Sequence, residues 1–135
     1  MINNKKELKI SVKVVFRAGD KVMFHKTKDG IRDLPGGHIE FGETILEALK
    51  RELIEEINFN LKNDPKLLYV WTYIRKNKNI HRVYIVYLID IGSKQKKFIH
   101  QEIDDMEFVW LRKEEIKEQC FLPEMENLLL KAFKI

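Results

Sequence analysis

The chain has 135 residues, a length that suits one domain built on one core. Hydrophobic residues make up 44% and charged residues 34%, the balance of a soluble globular protein. No apolar run approaches the ~20 residues of a membrane span, and Met1–Lys9 lacks the apolar core of a secretory signal.

The lone Cys120 allows no internal disulfide, which agrees with a reducing, cytoplasmic setting, and reads as a small buried apolar residue. A formal net charge of +4 favours anionic ligands without selecting nucleic acid over nucleotides.

From Lys9 to Arg17, Ile10, Val12, Val14 and Phe16 fall on one side, which predicts a half-buried strand. Ala18-Gly19-Asp20 signals a turn, and Lys21–Lys26 returns as the second strand of a hairpin. Thr27–Gly30 is a further turn, and Asp33–Gly42 carries glycine turns. Thr44 and Glu47 form a T-x-x-E capping box, so a helix starts at about Ile45. Its core-facing stripe is Leu46, Leu49, Leu53 and Ile57. Leu67–Arg75 and Ile80–Ile91 read as strands, joined by the polar turn Lys76–Asn79. Gly92–Asp105 reads as a loop with a mobile tip at Lys94–Lys97, and Glu107–Leu111 as a short final strand. Pro123 suits a helix start, and Met125, Leu128, Leu129, Ala132 and Phe133 form a terminal apolar stripe. No repeat, linker or domain boundary interrupts the chain, so residues 1–135 are read as a single domain.

Chemistry concentrates on the first helix. Glu52, Glu55 and Glu56 crowd one of its sides, where like charges repel. At ~100° per residue this cluster is centred roughly 110° from the apolar stripe, so the helix can be anchored while its carboxylates face a cleft. Nothing on that side of the helix is expected to neutralise them, which makes a bound cation the natural partner. Oxygen-rich carboxylate sites suit hard ions such as Mg²⁺, which commonly meets a substrate phosphate. The turn Leu34-Pro35-Gly36-Gly37 leads directly into this segment.

The segment Gly37–Phe59 resembles the Nudix box of the Nudix hydrolases, MutT-like members included. The pattern is G-x5-E-x7-R-E-U-x-E-E-x-G-U, with U a bulky apolar residue. Gly37, Glu43, Arg51, Glu52, Leu53, Glu55, Glu56 and Phe59 match it. Asn58 stands where the family usually has glycine, and Asn is the next best residue for a left-handed helix end. The resemblance implies an α/β Nudix fold, a mixed curved β-sheet sandwiched between α-helices, over a single Nudix hydrolase domain. It implies Mg²⁺-dependent hydrolysis of a nucleoside diphosphate linked to another moiety, with Mn²⁺ as a substitute. The expected metal ligands are Glu52 and Glu56, with Glu55 sharing a second ion and the Gly36 carbonyl helping. A glycine at 36 suits a backbone that must approach the ion closely. Glu43 would pair with Arg51, which would hold carboxylates, and Gly37 would lie against substrate. Glu55 and Glu102 are the candidates for the general base, with Asp104 and Asp105 also available.

Within that class we favour a nucleoside triphosphate, cleaved to a monophosphate and pyrophosphate. The P-G-G-H-I-E-F-G-E run is similar to pool-sanitising members. Dinucleoside polyphosphates and nucleotide sugars such as ADP-ribose remain open, and RNA cap removal is disfavoured. A non-catalytic nucleotide-sensing module is the reading of another class, but it would be marked by loss of the carboxylates. An isoprenoid diphosphate isomerase would want a suitably placed cysteine, and Cys120 lies far downstream. The partner expected is a small-molecule nucleotide, with no membrane and no stable nucleic-acid partner; the resemblance allows a homodimer.

Other residues attract plainer readings. Lys26 is a candidate to meet a phosphate, against a solvated lysine. His38 reads as a packing or loop residue, and His25, His81 and His100 as structural, lacking metal-ligand spacing. Arg75, Lys76, Lys78 and Arg82 read as a charged turn that blunts a sheet edge. Trp71 and Tyr73 could stack a base, though core packing is the commoner role for such a pair. Trp110 reads as core.

Overall fold

In the computed structural model, the structure describes residues 5–27, 30–94, 96–102, 106–116 and 125–133, without the side chains of 27, 30–32, 125 and 126. The expectations at Lys28, Asp29, Asp104, Asp105, Cys120 and Pro123, and for the side chain of Met125, lie outside these residues. The elements are β1 (Glu7–Ala18), β2 (Lys21–Thr27), β3 (Gly30–Asp33), β4 (Gly36–His38), α1 (Ile45–Ile57), β5 (Lys66–Arg75), β6 (Ile80–Asp90), β7 (Glu107–Arg112), α2 (Lys113–Ile116) and α3 (Met125–Ala132). The seven strands form one sheet with the path β3-β2-β1-β6-β5, to which β4 adds on β1 and β7 on β2. The β1–β6 pair is parallel and the others are antiparallel, so the sheet is mixed, as expected.

β1 is the central strand, and it is buried on both sides rather than one. Val12, Val14 and Phe16 pack with Ala48, Leu49, Leu53 and Ile57 of α1. Val15 points the other way and packs with Leu128, Leu129 and Ala132 of α3 and Ile116 of α2. A strand with helices over both faces cannot show clean apolar–polar alternation along its whole length. The β1–β2 hairpin forms, but only Arg17 and Ala18 pair with Val22 and Lys21. β2 then leaves to pair with β7, from Lys21↔Arg112 to Lys26↔Glu107. This divergence frees the edge of β1 at Ser11–Lys13, and β4 takes it.

Strands β3 and β4 fall where the sequence signals only turns. They are 4 and 3 residues long; β3 folds straight back on β2, whereas β4 finds its partner far upstream on β1. Local glycine and proline signals therefore mask them.

α1 begins and ends as its sequence dictates. Thr44 Oγ1 accepts from the Glu47 N–H and Glu47 Oε1 from the Thr44 N–H, each at 3.2 Å. Asn58 closes the helix at φ 52°, ψ 38° and donates its N–H to the Ile54 carbonyl at 3.1 Å. Leu49, Leu53 and Ile57 are buried as expected; Leu46 is half-buried, and Ala48 takes the remaining core contact.

β5 and β6 form a hairpin closed by a 3₁₀ turn at Lys76–Lys78 and a left-handed Asn79. Trp71 stacks on Tyr84 at 4.7 Å in the α3-side core, and Tyr73 packs against that core. Trp110 packs against the α1-side core, and its indole N–H donates to the Lys96 carbonyl at 3.2 Å. Lys96 Nζ lies over the rings of Phe59 and Phe98, so the expected mobile tip is anchored at this residue. Among the described residues no helix is long and apolar enough to cross a membrane.

Candidate active site

The sheet hands α1 a glycine pair. β4 lies on β1 so that Gly36 opposes Lys13 and Gly37 opposes Val12. Gly36 has φ +133°, and a Cβ there would collide with the Val12 carbonyl oxygen. A Cβ at Gly37 would collide with the carboxylate of Glu52. Position 36 therefore requires glycine for its backbone, whereas a side chain at Gly37 would displace the Glu52 carboxylate from its place beside β4.

Arg51 sits among the box carboxylates. Its Nε donates to Glu43 Oε2 at 2.7 Å and its Nη2 to Glu43 Oε1 at 2.9 Å, a bidentate fork. Nη1 donates to Glu52 Oε1 at 2.9 Å and to Glu55 Oε2 at 3.3 Å. Nη2 also reaches the His38 carbonyl at 3.1 Å. The expectation that nothing neutralises the glutamates is thus corrected. One guanidinium reaches Glu43 before the helix, Glu52 and Glu55 on it and the His38 carbonyl on β4. It still balances only one of the three carboxylates to which it donates, and Glu40 lies 3.9 Å away as a fourth.

The electrostatics follow from these contacts. The Arg51 hydrogen bonds, and then the Glu40 N–H, hold the Glu43 carboxyl at about 2, below its ordinary 4.5. The Glu43 contact in turn raises the Arg51 guanidinium. Burial pushes Glu52 up, against the lowering by Arg51, and the charges of Glu56 and Glu55 push the same way as burial.

Glu56 is held differently. It is 8% exposed, and its Oε1 lies 2.5 Å from Nε2 of the equally buried His25. The two atoms meet off the line of a well-formed hydrogen bond, and neither has another hydrogen-bonding partner among the described residues. Oε2 faces the Gly36 N–H at a long 3.5 Å. The Glu56 carbonyl accepts from the Gln101 N–H at 2.8 Å, which ties the loop before β7 to the last turn of α1.

Glu43, Arg51, Glu52, Glu55, Glu56, Gly36 and Gly37 are therefore brought together. Glu102 is exposed on the tied loop, its N–H donating to His100 Nδ1 at 3.1 Å. Lys26 is exposed and follows His25 on β2, at the point where the β2–β3 register is irregular. Sequence reasoning missed the proximity of His25 and His100 to Glu56. The one available signal was that His25 shares a strand side with Met23, which packs against α1. Ser11 Oγ and His38 Nδ1 lie 3.0 Å apart, which ties His38, exposed at the end of β4, to β1.

Among the described residues no three His, Cys, Asp or Glu converge on one point as a preformed metal centre would. Glu52 and Glu55 face Arg51, whereas Glu56 faces His25. The donor chemistry nonetheless fits a hard cation: oxygen ligands, uncompensated charge and a buried carboxylate oxygen lacking an aligned donor. A cavity of about 740 Å³ opens beyond the C-terminal end of α1, lined by Phe59, Leu61, Lys62 and Lys66 among others. No box carboxylate lines it, so the chemistry and this cavity do not coincide.

The NUDIX domain profile matches residues 7–132. The chain is 30% identical over 92 residues to an ADP-ribose pyrophosphatase of Methanocaldococcus jannaschii, covering 65% of this chain and 54% of that protein. It is 30% identical over 109 residues to the mitochondrial Nudix hydrolase 13 of Arabidopsis thaliana, covering 75% of this chain and 53% of the relative. The chain thus spans about half the length of the curated relatives it matches. The solved structure of a MutT protein from Methanosarcina mazei Go1 superposes with a TM-score of 0.72 at 20% identity, over 98% of this chain and 97% of that one. At that identity the likeness speaks for the fold. With the profile running through nearly the whole sheet and α1 carrying the box, the chain belongs to the NUDIX family, the family of the Nudix hydrolases.

Proposed function

We propose that the chain hydrolyses the pyrophosphate bond of a nucleoside diphosphate linked to another group, with a divalent cation held by Glu52, Glu55 and Glu56 and by the Gly36 carbonyl. Mg²⁺ is the expected ion, with Mn²⁺ as a substitute. One observation carries this reading. A single guanidinium faces Glu43, Glu52 and Glu55, while Glu56 stays buried beside it with no aligned donor at Oε1. Such surplus negative charge, gathered at a glycine pair, is what a cation site requires.

A bound divalent cation supplies a water of lowered pKa and neutralises phosphate oxygens. The chain's own residues do the rest. Arg51 is pinned by its fork to Glu43 and would stay in place if Glu52 and Glu55 held the cation. Glu55, half-exposed, or Glu102 on the tied loop accepts the proton of the attacking water. Gly37 keeps the backbone low beside substrate, and Lys26 remains the weaker candidate for a phosphate contact. Residues 1–135 act in this reading as one Nudix hydrolase domain on a small-molecule nucleotide.

The preferred substrate is a nucleoside triphosphate, cleaved to a monophosphate and pyrophosphate. ADP-ribose is the second reading, favoured by the name of the Methanocaldococcus jannaschii relative. A phosphate and pyrophosphate release screen with Mg²⁺ tests both. It should span nucleoside triphosphates (oxidised and methylated ones included), dinucleoside polyphosphates and ADP-ribose, with Glu56→Gln as control. A hit that disappears in the control supports the reaction and names its substrate. Silence across the panel, with nucleotide binding retained, would favour a sensing module instead.

A further inference from the structure

The contact between His25 and Glu56 joins two buried titratable side chains from distant parts of the chain. His25 is 7% exposed and stands on β2, where its register partner on β7 is Phe108. The Phe108 ring meets the imidazole edge-on at 5.0 Å and 75°, and the His100 ring does so at 5.7 Å and 77°. His100 is in turn stacked on Phe108 at 6.1 Å and 11°. The imidazole is therefore fixed by its neighbours before any contact with Glu56 is counted. Its Nε2 then reaches Glu56 Oε1 at 2.5 Å as a close polar contact off hydrogen-bond alignment, and no described group offers that oxygen a hydrogen bond. The backbone of the same residue is tied from the same side through the Gln101 N–H. Both the side chain and the carbonyl of Glu56 are thus set from the β2–β7 side of the molecule, whereas Glu52 and Glu55 are set by Arg51.

We infer that His25 is a positioning residue: through Nε2 it holds the Glu56 carboxylate in the orientation from which that carboxylate takes the cation. The inference rests on the proposed role of Glu56 as a cation ligand. Carboxylates that bind metals are themselves held by hydrogen-bonding partners, and losing such a partner commonly weakens affinity 10- to 100-fold. A purely packing role for His25 makes a different demand, because the ring alone would satisfy Phe108 and His100.

The test uses the full chain and Mn²⁺ alone, with free Mn²⁺ followed by electron paramagnetic resonance. His25→Phe keeps a ring between Phe108 and His100 and removes Nε2. His25→Gln removes the ring and returns an N–H donor. Urea unfolding of the metal-free proteins checks that each variant is folded, and His25→Leu replaces His25→Phe if the latter is not. We expect the Mn²⁺ dissociation constant to rise about 10- to 100-fold in His25→Phe and to return most of the way in His25→Gln. Wild-type affinity in folded His25→Phe, or equal loss in both variants, overturns the inference. Glu56→Gln separates the two levels. If it binds Mn²⁺ like the wild type, the ligand assignment fails and the inference with it. If it loses Mn²⁺ while His25→Phe does not, the inference alone fails.

Discussion

The carboxylates of the box are held by opposite devices. Glu43, before α1, and Glu52 and Glu55, on it, share one arginine through hydrogen bonds, at side chains 18% to 49% exposed. Glu56, next to Glu55 in sequence, is buried beside a single imidazole. The first arrangement tolerates change, because a guanidinium has five donors and solvent is close. The second does not, because a buried charge that loses its partner pays the full cost of desolvation. The difference teaches that adjacent glutamates of one motif need not be equally replaceable, although the motif writes them alike.

The comparison is broken most sharply at the buried carboxylate. Glu56→Gln is expected to lower cation-dependent turnover by at least roughly a hundredfold while the protein stays folded. A steady-state assay on the identified substrate against circular dichroism of the same sample decides it; wild-type turnover would remove Glu56 from the site. Among the arginine-held carboxylates, Arg51→Lys replaces a fork by a point charge. It should cost about 2 kcal/mol of unfolding free energy, since a lysine reproduces only part of the hydrogen bonding to Glu43, Glu52 and the His38 carbonyl. Urea titration reads this directly, and an unchanged midpoint would mean that solvent satisfies those groups equally well.

Glu102→Gln probes the loop tied to the last turn of α1 through Gln101. Turnover should fall about tenfold or more if it takes the proton, with Mn²⁺ affinity unchanged; an unaltered rate assigns the proton to another group. The helix stop gives a smaller effect. Asn58→Ala should destabilise by about 1 kcal/mol, because the left-handed conformation strains a Cβ, whereas Asn58→Gly should match or exceed the wild type in thermal melts.

The mildest effect is one of pH. Glu43 sits at about 2 in the folded protein against an ordinary 4.5, with the Arg51 hydrogen bond as the first cause. A depressed carboxyl contributes stability above its unfolded value and loses it as pH falls toward the folded one. Wild type should therefore be more stable than Glu43→Gln at neutral pH, and the gap should close as pH drops from about 4.5 toward about 2. A gap that stays constant over that range would show that the Arg51–Glu43 fork contributes through geometry and not through charge.

What the sequence makes legible is what lies close along the chain. Helix bounds at Thr44 and Asn58, the stripe Leu49-Leu53-Ile57 and the meeting of Glu43 with Arg51 all depend on spacings within about two helical turns or one short loop. The rest depends on pairing at a distance. β4 is too short to announce itself, yet it carries Gly36 and Gly37 to the helix only because β1 has a free edge at Ser11–Lys13. His25 looks like any strand histidine until the β2–β7 register and the packing of α1 bring it to Glu56. The burial of β1 on both faces is hidden for the same reason: Val15 needs α3, which lies at the far end of the chain.

The parallel pairing of β1 with β6, from Glu7↔Ile80 to Arg17↔Asp90, has a consequence for how the chain is made. During synthesis the first strand leaves the ribosome long before its central partner exists. β2 and β4 can dock on it early, but the other edge stays open until the chain is complete to Asp90. Domains emerge N-terminus first at ~5–20 residues per second, and non-local strand pairs close slowly. The carboxylate helix is therefore synthesised several seconds before the sheet beneath it can be finished. In that interval the apolar strand β1 is the nascent chain's exposed liability.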